Sequence, residues 1–220
     1  MANLIIGCLS QKGGVGKSTV ARLIATAYAS HDQKTAIYDF NGTQETSTFW
    51  ASRRKEAGIQ PAVHAEVVTQ ANRMRSDRRF DVIIADGRPD SPEITLSIAR
   101  NSDLVVIPTS VTIDDLVPQI RFARELVEKG VDRSRIIWVI NRVTDNQLLI
   151  QDAYAFIGDE FKVAKSSLPY RDAFIRCHTG GFSVGEVKDA VMGNMSNLSK
   201  SAEALATEIA TAAFEIQEVH

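Results

Sequence analysis

The chain has 220 residues, with 25 Lys+Arg against 27 Asp+Glu for a net charge of -2, and it is 44% hydrophobic and 24% charged. A chain of that length and balance buries a core without staples, which excludes disordered, collagenous and disulfide-scaffold classes. Cys8 lies in an apolar run and Cys177 far downstream, with no His at ligand spacing, which argues against a metal cage or disulfide framework and for a reducing compartment.

Residues 1–10 lack a charged start and a cleavage site, and no run of about 18 apolar residues occurs anywhere, so a cytoplasmic protein is expected. β-Branched apolar runs at 4–9, 35–38, 82–85, 104–107, 136–140 and, more weakly, 161–164 predict buried strands. Amphipathic stretches of helical period at 18–30, Ile113–Glu128 and 148–158 lie between them. The alternation predicts an α/β fold: a doubly wound, mostly parallel sheet with helices on both faces. After Pro169 the pattern turns helical and ends in an Ala-rich stretch, 196–218, expected to pack on the sheet. No linker, repeat or low-complexity segment interrupts the chain, so one domain, 1–220, is expected.

Between the first strand and first helix lies Gln11-Lys12-Gly13-Gly14-Val15-Gly16-Lys17-Ser18-Thr19. Glycines let successive backbone N–H groups turn inward on an anion, and the helix starting near Lys17 adds its positive end. Lys17 would then meet the β- and γ-phosphates of a nucleotide as a point charge, and the Ser18 hydroxyl would ligate Mg²⁺. The plain pattern G-x-x-x-x-G-K-[ST] requires Gly where Gln11 stands, so the match is to a variant, one with a second lysine, Lys12. An Asp ending a buried strand beside such a loop holds Mg²⁺ through its water shell. Asp86 is the candidate, and Asp39, ending the second strand, would orient a metal-bound water.

The run K-G-G-V-G-K-S resembles the deviant phosphate loop of the ParA/MinD family of dimerising ATPases. Asp39 resembles the family's first switch; the run 80–87, ending at Asp86-Gly87, resembles its second acidic motif. Residues 102–108 with Asp114-Asp115-Leu116 resemble the stretch that follows, and Asn141-Arg142 and Leu168-Pro169-Tyr170-Arg171 the segments that hold adenine. The likeness covers nearly the whole chain and is greatest to short partition ATPases that lack an N-terminal DNA-binding extension. It implies a P-loop fold and an ATPase using ATP and Mg²⁺. Nucleotide would be held by Gly13, Gly14, Val15, Gly16, Lys17, Ser18, Thr19, Asn141, Arg142, Pro169 and Arg171. It also implies that Lys12 reaches across a homodimer to the facing subunit's nucleotide, so that the γ-phosphate controls assembly. The family's first switch reads D-x-D-P-Q, whereas this chain reads Asp39-Phe40-Asn41-Gly42-Thr43-Gln44-Glu45. Asn41 hydrogen-bonds a water but accepts no proton from it, so slow hydrolysis is expected, with Gln44 or Glu45 as alternative water-positioning residues.

Basic residues cluster at Arg53-Arg54-Lys55, at Arg73, Arg75, Arg78 and Arg79, and at Lys162, Lys165, Arg171, Arg176 and Lys188, the last set lying where the resemblance implies nucleoid-binding residues. Without interleaved aromatics or a helix-turn-helix signature, DNA contact would be to phosphates and indifferent to sequence. Nucleoid association in the ATP state and a cargo- or centromere-binding adaptor follow from the resemblance, as does plasmid segregation or positioning of another large cargo. Of the alternatives, the membrane-associated MinD branch is disfavoured because residues 204–220 carry Glu208, Glu215 and Glu218 and no Lys or Arg. A metabolic synthetase or amidase needs a substrate pocket, and His31, His64, His178 and His220 mark none.

Overall fold

Runs apolar at every position form strands only where both faces are covered, and the computed structural model buries its inner strands in this way. It describes residues 4–143, 146–187 and 196–219. The strands are β1 (Leu4–Cys8), β2 (Thr35–Asp39), β3 (His64–Val67), β4 (Val82–Asp86), β5 (Leu104–Thr109), β6 (Ile136–Val143), β7 (Lys162–Val163) and β8 (Leu168–Pro169). All pair in parallel in the order β3-β2-β4-β1-β5-β6-β7, with β8 beside the far end of β6. The helices are α1 (Lys17–Ala29), α2 (Thr46–Glu56), α3 (Arg73–Ser76), α4 (Pro92–Asn101), α5 (Ile113–Glu128), α6 (Gln147–Gly158), α7 (Asp172–Gly180) and α8 (Ser196–Val219).

Side-chain alternation divides the core between the two faces. Ile6, Cys8, Ile37, Ile84 and Val106 pack under α1, α2, α7 and α8, whereas Ile5, Tyr38, Ile83, Ile107 and Trp138 pack under α3 to α6. All six expected strands are present, and the Ala-rich tail docks through Ala202, Leu205, Ala206, Ile209 and Ala213. Elements without an apolar signature include α2 and β3. In α2 the buried positions, Ser47, Trp50, Ala51 and Arg54, keep helical spacing, but two are polar or charged. Strand β3 is a half-exposed edge, and its sequence HAEV lacks apolar alternation.

The connections position the site. From β1 the chain moves to β2 on one side, and from β4 it crosses to β5 on the other, so β1 lies at the reversal of winding. Ligands of open α/β sheets bind at the strand ends beside such a reversal. Here the register places Cys8, Asp39 and Asp86 side by side on β1, β2 and β4, with the 9–16 loop directly beyond.

Candidate nucleotide site

The loop from β1 to α1 is shaped by two glycines in left-handed backbone, Gly14 (φ 77°) and Gly16 (φ 98°). A Cβ at Gly16 would stand 1.8 Å from Asn141 Nδ2, so no side chain fits there. Two residues at the end of β6 fasten the loop from outside. The Asn141 amide donates to Val15 O at 2.9 Å and the Arg142 guanidinium to Gly14 O at 2.8 Å. Helix α1 starts at Lys17, and its N-cap, Gly16, supplies no side-chain cap, leaving the first N–H groups to an anion.

Lys17 is 8% exposed, and its ammonium donates to Lys12 O at 3.0 Å. Burial pulls its pKa below the usual lysine value, and the nearby Asp86 carboxylate opposes that shift. Asp86 is buried and accepts hydrogen bonds from Ser47, at 2.6 Å, and from Ser18. Burial, then the neighbouring Asp39 charge, push its pKa up against those two hydroxyls. Ser18 and Asp86 therefore present two hard oxygens together at the loop, a donor set suited to Mg²⁺. The glycine cradle, the buried lysine and these oxygens fit a nucleotide phosphate chain with its metal.

Asp39 ends β2 beside Asp86, as expected, and its carboxylate is engaged by backbone. Its carboxylate accepts the backbone N–H groups of Asn41 (3.0 Å), Ser47 (2.9 Å) and Thr48 (3.3 Å), so it caps α2 from a distance and fixes the 41–45 loop. Within that loop the Asn41 amide group donates to Gln44 Oε1 at 3.1 Å, and Glu45 is left-handed at φ 47°. The sequence reading missed Arg22. One turn beyond Ser18 on α1, it is 3% exposed, donates to Thr46 O at 2.6 Å and lies 5.6 Å from the Trp50 ring centroid. Burial pulls its pKa down to about 10, and the Asp86 and Asp39 carboxylates oppose that shift. An arginine in a helix that otherwise reads as apolar was the signal that could have found it.

Behind the loop lies a cleft of about 190 Å³ lined by Gly14, Thr19, Asn141, Arg142, Pro169, Tyr170, Arg171 and His178, among others. Seven of the expected nucleotide residues line this one cleft: Gly14, Gly16 and Thr19 from the phosphate run, and Asn141, Arg142, Pro169 and Arg171 from outside it. The Arg142 guanidinium lies 5.0 Å from the Tyr170 ring centroid. Larger clefts of about 770 and 760 Å³, at Tyr28, Gln33 and Ala210, border the opposite ends of the strands and lack such a phosphate loop.

Lys12, expected to point out of the subunit, is bound within it to Asp114 O and Asp115. The 73–79 basic cluster is not a free patch. Arg73 and Arg79 pair with Glu66, Arg79 also with Asp77, and Arg75 binds Asp103 through both guanidinium nitrogens, so neighbouring carboxylates cancel most of the charge. Arg78 is exposed. Arg54 is 1% exposed and bridges Glu186, Pro61 O and Gly181 O, whereas Arg53, Lys55 and Arg176 are exposed on the neighbouring helices α2 and α7. Lys188 lies outside the described residues, as does His220.

The profile of the CobQ/CobB/MinD/ParA nucleotide binding domain matches residues 6–181. Protein virC1 of Rhizobium rhizogenes is 26% identical over 182 residues, 75% of this chain and 76% of that protein. The septum site-determining protein MinD of Pyrococcus horikoshii, solved with Mg-ADP, superposes with TM-score 0.73 at 16% identity over 94% of this chain and 96% of that one. A putative plasmid partition protein of Borrelia burgdorferi bound to AMPPNP gives 0.69 at 17% identity over 95% and 99%.

Proposed function

Because the chain belongs to the CobQ/CobB/MinD/ParA family of nucleotide-binding domains, we propose that it is a partition-type ATPase that binds ATP and Mg²⁺, pairs face to face in that state and then adheres to nonspecific DNA. The observation that carries the reading is the phosphate loop, held open by Asn141 and Arg142 with Lys17, Ser18 and Asp86 at its mouth. The loop amides and Lys17 bind the phosphates, and Ser18 and Asp86 hold the metal, Asp86 through water. When bound, Mg²⁺ neutralises charge on the β- and γ-phosphates. Asp39 acts through the protein by holding α2 and the 41–45 loop, which carries Asn41.

Exposed apolar side chains support pairing. Phe49, Ile113, Leu148 and Ile175 are exposed on helices that start at the site-bearing end of the sheet, and Tyr170 is exposed between β8 and α7. Apolar surface gathered around a charged mouth fits a second copy, whose phosphates would neutralise Lys12. Helix α8 supports DNA over lipid. Its Glu208 accepts the Lys165 and Ser166 amides and its Glu215 pairs with Lys162, so this helix is committed to the body of the protein. Among the described residues no helix is long and apolar enough to cross a membrane.

An adaptor bound to cargo, either a plasmid centromere or another large assembly, would stimulate hydrolysis locally and release the DNA. The test is gel shift on random DNA and cosedimentation with anionic liposomes, each in ATP and in ADP. DNA binding in ATP alone supports the proposal; liposome binding, or binding to neither, refutes it.

A further inference from the structure

We infer that Asp115 and the Asp114 carbonyl form a latch holding Lys12 within its own subunit, and that nucleotide binding opens it. The inference rests on the proposed function for the destination of Lys12, the nucleotide of a facing copy. The latch itself rests on contacts in one chain. The Lys12 ammonium donates to Asp114 O at 2.9 Å and pairs with the Asp115 carboxylate.

Both acceptors are set by α5. Pro118 lies inside this helix and has no N–H, so the carbonyl four residues before it, Asp114 O, lacks its helical donor. Lys12 occupies that acceptor. Asp115 lies in the first turn, where the helix dipole favours an anion and would repel a bare ammonium. The Ser110 hydroxyl donates to the Asp115 carboxylate and orients it. Desolvation pushes the Asp115 pKa up, but hydrogen bonds from Lys12 and Ser110 outweigh it and the net shift is downward.

The base of Lys12 is tied to the same helix. Its N–H donates to Ser10 Oγ at 2.9 Å, and Ser10 Oγ accepts from Gln119 Nε2 at 2.8 Å. Its carbonyl accepts the Lys17 ammonium, the group that nucleotide phosphates would draw away. Filling one subunit's site thus removes a bond from the backbone of the lysine meant for the other subunit's nucleotide. Asp115 is a positioning residue in this scheme. With it in place, Lys12 is free to cross only after its own site has engaged phosphate.

The test compares wild type, Asp115→Asn, Asp115→Glu and Pro118→Ala by two readouts. The first is the acetylation rate of Lys12, read by mass spectrometry against exposed Lys34, without nucleotide. The second is the dimer dissociation constant by sedimentation in ATP. Freeing a partly exposed ion pair is expected to raise Lys12 acetylation about threefold in Asp115→Asn, and two latches per dimer to tighten it about tenfold. Asp115→Glu should return toward wild type, and Pro118→Ala, which restores a competing donor for Asp114 O, should move the same way as Asp115→Asn but less. Raising salt should speed Lys12 acetylation in wild type and leave Asp115→Asn flat, a check independent of how well any variant folds. Unchanged Lys12 reactivity in the variants and in salt overturns the latch. A rise in reactivity with no change in dimer strength overturns its control of assembly. If wild type fails to self-associate in ATP, the proposed function falls, while the acetylation rates still decide the latch.

Discussion

Gly16 has a consequence that can be measured directly. Its left-handed backbone costs any other residue about 1–2 kcal/mol, and a Cβ there would drive the Asn141 amide off Val15 O. Gly16→Ala is therefore expected to lower stability by at least that amount and to abolish nucleotide binding by calorimetry; retained affinity would mean the loop tolerates another shape. Asn41 carries a second expectation. Its amide is paired with Gln44, whose own amide can rotate to donate to a carboxylate, so Asn41→Asp fits the loop. It adds a proton acceptor at the position corresponding to the second Asp of the family's first switch and should raise single-turnover ATP hydrolysis about tenfold or more. A wild-type rate that the change leaves unmoved would count against slow hydrolysis through Asn41.

Helices α1, α2 and α7 meet through polar contacts. Trp50 Nε1 donates to Phe182 O at 3.0 Å, Arg53 to His178 O at 3.3 Å, and Gly181 (φ 85°) ends α7 so close to α2 that a Cβ would stand 2.7 Å from Arg54 N. His178 is pressed into this junction. Burial, then the Arg22 and Arg53 charges, push its pKa down to about 3. The folded state therefore keeps the imidazole neutral while the unfolded chain protonates it near pH 6.5. Its stabilising effect is complete above pH 6.5 and is lost as the pH falls toward 3, amounting to about 2 kcal/mol lost by pH 5. Urea denaturation at pH 7.5 and pH 5 should show that loss in wild type and a smaller one in His178→Gln. Parallel losses in both proteins would remove His178 as the cause. The same junction shows why α2 was not legible in the sequence. Its inward face carries Ser47 and Arg54, which serve partners distant in the chain, Asp86 and Glu186, and a periodicity of apolar residues cannot register them.

Across the whole molecule, a net charge of -2 leaves the proposed DNA adhesion to local surfaces, and the structure distinguishes the basic clusters by their partners. Arg73, Arg75 and Arg79 face carboxylates, so replacing them with Gln should cost stability and barely alter DNA affinity. Arg176 and Arg53 are exposed on α7 and α2. Replacing them should weaken ATP-dependent DNA binding and lower its salt slope by roughly one unit for each phosphate left without its arginine. Gel-shift salt titrations and denaturation curves on the two sets separate these effects. A loss of DNA binding confined to the 73–79 set would reverse the assignment.

The sequence by itself determined the sheet, its winding and the phosphate loop. These follow from local signals: apolar runs long enough to be strands, glycines where φ must be positive, and a lysine next to a helix start. Only the tertiary structure decided what the charged residues do. That the Asp39 carboxylate caps α2, that Lys12 rests on α5 in its own subunit, and that Arg75 pairs with Asp103 depend on groups 8 to 103 positions away, as the contacts to Ser47, Asp115 and Asp103 show. A charge acts on whatever lies within a few ångströms, and in a doubly wound sheet those neighbours come from separate crossings of the chain.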